Sequence, residues 1–251
     1  MKLLPDINAT DFAPLLSGAD YSEAFLEQSE GLSLRFEEGR VEDIGVSSDR
    51  GLGLRFLRRQ PDSRALVTLQ GSSQDISGAA AARLRQELLG AAAVPQRCTL
   101  HPLTSHRHIV RVDPSSVTLD TKIGLLRLID WTIRSEFPDI RQVTLSYGER
   151  HRDIAILNSE GAHRREERTA VILSISIVAE RDGSLQTGHE VIGGLKGWEL
   201  LTDHDPLRLA RAAARRALEK LSAPKAKAGE MPIVLSSSAG GTFIHEAIGH
   251  S

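Results

Sequence analysis

The feature that most constrains the fold is a repeated alternation of apolar and polar residues in short stretches separated by turn residues. Residues 32–37 alternate cleanly, and Glu38-Gly39 then predicts a turn into a further strand. Short strands joined by Gly- and Pro-containing turns predict an antiparallel meander. The strands of this first meander are predicted at residues 20–27, 32–37, 41–47, 52–57 and 65–69, with further turns at 49–51 and 61–62.

A second set of strands with the same character follows a helix. Ser77 is the predicted N-cap of a helix that extends to Ala93, and a second helix is predicted from Asp113-Pro114 to Glu136, where Asp130 is expected to cap or to pair with Arg134. The second meander is predicted at residues 140–149, 153–157, 164–180 and 185–192, and Asp205-Pro206 opens a last full helix.

These elements predict an α+β fold with two antiparallel or mixed β-meanders, each packed with helices. The predicted domains are an N-terminal α+β domain at residues 1–93, a connector at 94–112 and a central α+β domain at 113–223. Residues 224–251 form a linker and the start of a further domain. A polypeptide of 251 residues is long enough for this arrangement.

Composition narrows the classes of partner and location. The 31 basic and 33 acidic residues give a formal net charge of −2, so we expect no nucleic-acid partner. No apolar run approaches a membrane span, and the N-terminus lacks the apolar segment of a signal peptide, so we expect no membrane partner. Together with a single cysteine, Cys98, these features favour a cytoplasmic location.

The last residues of the chain hold the strongest chemical signal. An apolar run, Pro232-Ile233-Val234-Leu235, leads through a Gly-rich turn into a predicted helix start that contains His245, Glu246 and His250. Neutral imidazoles are frequent zinc ligands, and a carboxylate beside a ligand can act as a general base toward water. The alternative is a core helix in which His245 has a hydrogen-bond partner and His250 is exposed.

The spacing of the two histidines sets a condition on the backbone. Five residues correspond to about 140° on an ideal α-helix, which is too wide for two ligands of one metal. If both imidazoles bind one ion, the helix must be distorted there, by a π-type turn or by ending at Gly249.

The flanking residues 229–250 closely resemble the start of the catalytic domain in the TldD/PmbA family of metallopeptidases. The TldD branch of that family has His-Glu-x-x-x-His at this place. More diffuse similarity lies in Asp20-Tyr21-Ser22-Glu23, in residues 49–55, in Asn158-Ser159-Glu160-Gly161 and in residues 178–183 and 193–197.

The resemblance implies a function and a set of site residues. It implies that His245 and His250 bind a metal, expected to be zinc, that Glu246 is the general base, and that small or unfolded peptides are the substrates. It also implies a homodimer or a heterodimer with a TldE/PmbA-like subunit, and a third ligand, a Cys, beyond Ser251. Residues 224–251 would then begin a truncated metallopeptidase domain, and we expect this chain alone to be inactive.

Several alternatives stay open. The chain could instead be a non-catalytic subunit that dimerises or binds peptide through open sheet edges. The group Cys98, His101, His106 and His108 could be a metal site, but a solvated connector is favoured because the spacing fits no paired-ligand pattern. His189 and His204 are possible further ligands, although surface histidines are more common. The last helix has basic residues on one face (Arg208, Arg211, Arg215, Arg216 and Lys220), for which solvation is favoured over nucleic-acid binding.

Overall fold

The computed structural model describes residues 4, 7–60, 65–90, 98–225 and 227–250. The predicted turn at 61–62 and the start of the connector lie outside the described residues. The helix predicted to extend to Ala93 ends earlier, at Leu89, because Gly90 has a positive φ of 78° and caps it. The chain has two compact units, Met1–Leu221 and Ser222–Ser251.

The first unit is built on a seven-stranded sheet. Its strands are β1 (Tyr21–Glu37), β2 (Arg40–Arg59), β3 (Leu66–Ser73), β4 (Thr104–Arg107), β5 (Ile140–Asn158), β6 (His163–Arg181) and β7 (Ser184–Gly194). Its helices are α1 (Ala9–Phe12), α2 (Gly78–Leu89), α3 (Leu119–Glu136), α4 (Glu199–Asp203) and α5 (Pro206–Ser222), with 3₁₀ turns at Ala13–Leu15 and Pro114–Ser116.

The two predicted meanders join into one sheet. The strand order is β3-β2-β1-β5-β6-β4, and β7 also pairs with β6. The junction is the antiparallel pairing of β1 with β5, from Glu23 opposite Asn158 to Glu37 opposite Thr144. The α+β class is confirmed. The domain boundaries stay a prediction, and the sheet is continuous across the predicted N-terminal and central domains.

The strands are longer than the alternation predicts. The turn predicted at residues 49–51 is wrong, because these residues continue β2 and pair with residues 27–29 of β1. Similarly, β5 runs without a break through residues 150–152. Polar and Gly residues are tolerated there because one face of these strands is exposed, so loss of apolar alternation does not mark a turn.

Side chains at the hairpins and helix starts explain where the elements begin. The two-residue loop between β1 and β2 needs positive φ at both positions, which Glu38 (49°) and Gly39 (78°) adopt. The Ser77 hydroxyl accepts a hydrogen bond from the Ala80 amide at the start of α2, as predicted. α3 begins at Leu119 rather than at Pro114, because Val117 is extended and the Thr118 side chain caps the helix.

The core lies on one face of the sheet. Leu26 and Leu34 are both fully buried and are separated by an even number of residues on β1, so they point to the same face. Leu34 belongs to a cluster with α3 and α5, and Leu26 belongs to a second cluster with α1 and α2. We call this the covered face, and the opposite one the open face.

Candidate metal centre

The second unit ends in a helix that begins after the apolar run. Ser236 has the extended backbone of an N-cap, with φ −66° and ψ 160°, and its carbonyl accepts a hydrogen bond from the Gly240 amide at 2.7 Å. The helix α6 covers Ser237–Ile244 and continues directly into a π-helical turn, His245–Gly249. A strand–turn–helix start was predicted here, but residues 231–236 are not in a strand among the described residues.

The π turn brings the two imidazoles together. The Nε2 atoms of His245 and His250 lie 2.9 Å apart, with ring centroids at 4.5 Å and an angle of 82° between the rings. A π turn closes over five residues, so the residue five positions ahead lies above the first. The distortion that the His spacing requires is therefore present, and the helix also ends at Gly249, as His250 has φ −104° and ψ 6°.

The donor atoms fit a metal ion. Ligand atoms of His245, Glu246 and His250 all lie within 4.8 Å of one another, and all three residues are exposed. With zinc–nitrogen distances of about 2.05 Å, nitrogens 2.9 Å apart subtend about 90° at the ion, and a tetrahedral angle needs about 3.3 Å. Side-chain rotations that move the two nitrogens apart by a few tenths of an ångström would give that separation. Within the described ranges, this is the one group of three or more His, Cys, Asp or Glu residues so placed.

The Cys and His residues of the connector are not gathered into a site. The Cys98 thiol lies 3.6 Å from the carbonyl oxygens of Asn158 and Ser159, and burial raises its pKa. The imidazole of His108 is 2.8 Å from Glu166, and the ring of His106 packs against it. These side chains therefore have partners within the first unit. The connector is more regular than predicted, because residues 104–107 form the short strand β4, which pairs with β6.

The remaining candidates have structural partners or are exposed. His189 and His204 are both exposed residues of the first unit. The basic face of α5 is partly used within the chain, since Arg211 pairs with Glu136 at 2.7 Å and Arg216 pairs with Glu190 at 2.8 Å. Asp130 accepts a hydrogen bond from Arg134 at 2.9 Å, as predicted. β7 ends at Gly194, two residues beyond the predicted strand at 185–192.

One largely buried ionisable pair, Lys122 and Glu149, was not predicted from the sequence. Lys122 of α3 is buried and lies 2.7 Å from Glu149 of β5, and the Tyr147 hydroxyl donates to the same carboxylate. Burial and the hydrogen bond to Glu149 raise the pKa of Tyr147. The available signal was a lysine between Leu119 and Ile123 on the apolar side of α3.

The first unit has an α+β fold, and the second unit has a group of side chains that could hold a metal ion. Two family models match the chain. Residues 22–84 match the PmbA/TldA metallopeptidase domain 1, and residues 112–221 match the PmbA/TldA metallopeptidase central domain. The chain belongs to the TldD/PmbA family of metallopeptidases.

Curated relatives extend the similarity over most of the chain. It is 29% identical over 242 residues to a metalloprotease TldD homolog of Haemophilus influenzae, covering 92% of this chain and 49% of the relative. It is 25% identical to a metalloprotease of Methanocaldococcus jannaschii, covering 98% of this chain and 54% of the relative. The chain thus spans about half the length of these relatives.

Solved structures share the fold. TldE from Thermococcus kodakarensis matches with a TM-score of 0.57 and 14% identity, over 80% of this chain and 44% of that one. A proposed modulator of DNA gyrase from Bacteroides thetaiotaomicron matches with a TM-score of 0.64 and 17% identity, over 86% of this chain and 49% of that one. Of the helices in the described residues, none is both long and apolar enough to span a bilayer.

Proposed function

We propose that this polypeptide forms part of a metal-dependent peptidase of the TldD branch. In this proposal His245 and His250 bind the metal, zinc, and Glu246 is the general base. The observation that carries it is the π turn, which places two imidazole nitrogens 2.9 Å apart beside a carboxylate in a chain of a metallopeptidase family.

The chemistry follows from the types of side chain. A zinc ion held by the imidazoles would supply a Lewis acid that polarises the peptide carbonyl. Glu246 is the second residue of the π turn and is exposed, so its carboxylate is accessible to water. It accepts the proton of the attacking water and thereby makes that water a better nucleophile.

Two imidazoles are one ligand fewer than catalytic zinc sites use. Glu246 is reserved for the base, so the group of His245, Glu246 and His250 leaves a third ligand to be supplied, and the family resemblance implies that this ligand is a Cys. We therefore expect the 251-residue chain alone to hold zinc weakly and to hydrolyse no peptide.

The substrates and partners are part of the proposal. We infer that the complete protein acts on small or unfolded peptides and forms a homodimer or a heterodimer with a TldE/PmbA-like subunit. The fold shared with TldE supports a partner of this kind. The cytoplasmic location expected from the sequence stays a prediction.

The test is Glu246→Gln in the longest form of the protein that the cell makes. We expect zinc content to stay unchanged and peptide hydrolysis to fall by about 10²- to 10⁴-fold, because the base is lost while both imidazoles remain. Glu230→Gln, a matched change at an exposed residue of the same unit, is the control and should leave hydrolysis unchanged. Equal turnover in both variants would remove Glu246 as the base.

A second candidate function is a non-catalytic subunit that dimerises or binds peptide. The observation that favours it is the outer edge of β2 at residues 43–51, with which no strand pairs among the described residues. This function needs no metal, so it survives loss of His245 and the peptidase does not.

A further inference from the structure

The long strand β2 has an edge that is covered along part of its length. β3 pairs with residues 52–59 of β2 and ends there. Among the described residues, no strand pairs with the outer side of residues 43–51, although their inner side is in regular register with residues 27–35 of β1. An unpaired edge presents free amide and carbonyl groups to any other extended chain.

The same stretch is exposed on its side chains as well. Val46 is 81% exposed and Ile44 is 45% exposed, and both lie on this part of β2. Proteins protect such edges with charge or with covering side chains. β7 at the far side of the sheet shows such cover, because Arg216 and Lys220 donate hydrogen bonds to the carbonyls of His189 and Thr187 at 2.8 Å.

Cavities lie on both faces beside this stretch. One, of about 860 Å³, extends across several strands. It is lined by Gly45, Val46 and Ser47 of β2, by Gly31 of β1 and by Gly148 of β5. Another, of about 350 Å³, is lined by Val46, Ser47 and Ser48. Alternate side chains of an added strand point to opposite faces, so there is room on each face for them.

The charges near the edge favour a basic occupant. Asp43 and Asp49 are exposed and have no ion-pair partner among the described residues, whereas Arg40 is paired with Glu42. With the exposed Arg50, residues 43–51 have a formal net charge of −1. Glu30 and Asp113 add acidic groups to the smaller cavity, where Arg150 is the basic residue.

We propose that residues 43–51 of β2 form a docking site at which an extended basic polypeptide segment adds to the sheet as a further strand. Backbone hydrogen bonds give the affinity, and Asp43 and Asp49 select the charge. The site lies in the first compact unit and needs no metal, so it stands independently of the proposed peptidase.

The probe is a labelled, capped peptide of four Lys-Val repeats, titrated into the 251-residue protein by fluorescence anisotropy. We expect saturable binding that weakens by about tenfold or more in Val46→Lys, because a charge then repels the added strand. Leu185→Lys on β7, an exposed apolar residue of the opposite edge strand, is the matched control and should bind as the parent does.

Two further peptides separate strand addition from simple charge attraction. Lys-Val repeats with alternate amides N-methylated should not bind, because they cannot form the backbone hydrogen bonds. Glu-Val repeats should bind the parent weakly and should gain affinity in Asp43→Lys. Equal binding of the N-methylated peptide, equal loss in Val46→Lys and Leu185→Lys, or no saturable binding at all would overturn the proposal. Self-association of the parent that Val46→Lys abolishes would also overturn it, in favour of a second copy as occupant.

Discussion

Replacing Gly188 by alanine tests how closely α5 packs on the sheet. Gly188 lies on β7, and a Cβ atom there would be 1.9 Å from the carbonyl oxygen of Ala213 and 2.9 Å from the amide nitrogen of Ala217. Both are backbone atoms of α5, so no side-chain rotation can relieve the contact. The helix or the strand must move by at least about 1.1 Å to avoid a contact below 3.0 Å.

The size of the effect follows from what that movement disturbs. The side of α5 on the sheet consists of residues Ala210, Ala213, Ala214 and Ala217, all with 0% exposure. Overpacking a tight core costs about 1–3 kcal/mol, and more when the backbone must shift. We therefore expect Gly188→Ala to lower the free energy of unfolding by about 3 kcal/mol. In urea denaturation followed by far-UV circular dichroism, this moves the midpoint down by about 1 M.

Gly194→Ala on the same strand is the matched control. A Cβ at Gly194 has nothing within 4 Å and the residue does not have positive φ, so the change should stay within about 0.5 kcal/mol. If the two variants unfold at the same urea concentration, the close approach of α5 to β7 is refuted.

Three further predictions concern single side chains. Lys122→Ala leaves the largely buried Glu149 carboxylate without its ammonium partner and should lower the free energy of unfolding in urea by about 3–5 kcal/mol. Adding Glu149→Gln should restore part of that stability, and an equal loss of stability in the double variant would contradict the pairing. Ser77→Ala removes the cap of α2 and should cost about 1 kcal/mol by the same assay, and no change would show that the cap is not used. The hydrogen bonds from Arg168 and His108 lower the pKa of Glu166 from 4.5 to about 2. The stability that this carboxylate adds is complete above pH 4.5 and is lost as the pH falls toward 2, so Glu166→Gln should flatten the acid limb in that range, and an unchanged limb would contradict it.

The extent to which the fold was predictable differs between its elements. Local signals predicted the hairpin at Glu38-Gly39, the cap at Ser77 and the pair Asp130–Arg134, because each depends on residues close in sequence. The joining of the two meanders was not predictable, because it depends on β1 pairing with β5 more than a hundred residues away. The continuity of β2 through residues 49–51 was missed for a different reason, because exposed parts of a strand do not need apolar alternation.

The backbone distortion at His245–Gly249 was more predictable than the sheet, while the metal ligands stay a prediction. The spacing of His245 and His250 alone excluded a regular α-helix for two ligands of one ion, and the structure has the π turn that this reasoning required. The connector histidines could not be judged from spacing, because the contact of His108 with Glu166 is made by β4 lying beside β6. Lys122 was missed because its partner, Glu149, comes from another element.

The most direct test of the proposed metal centre is a zinc titration of the 251-residue protein against a competing chelator. We expect one zinc per chain, at least about tenfold weaker binding in His245→Ala and in His250→Ala, and unchanged binding in the control His204→Ala. Equal zinc affinity in all four proteins would contradict the proposed metal centre, because the two imidazoles of the π turn would then not be the ligands.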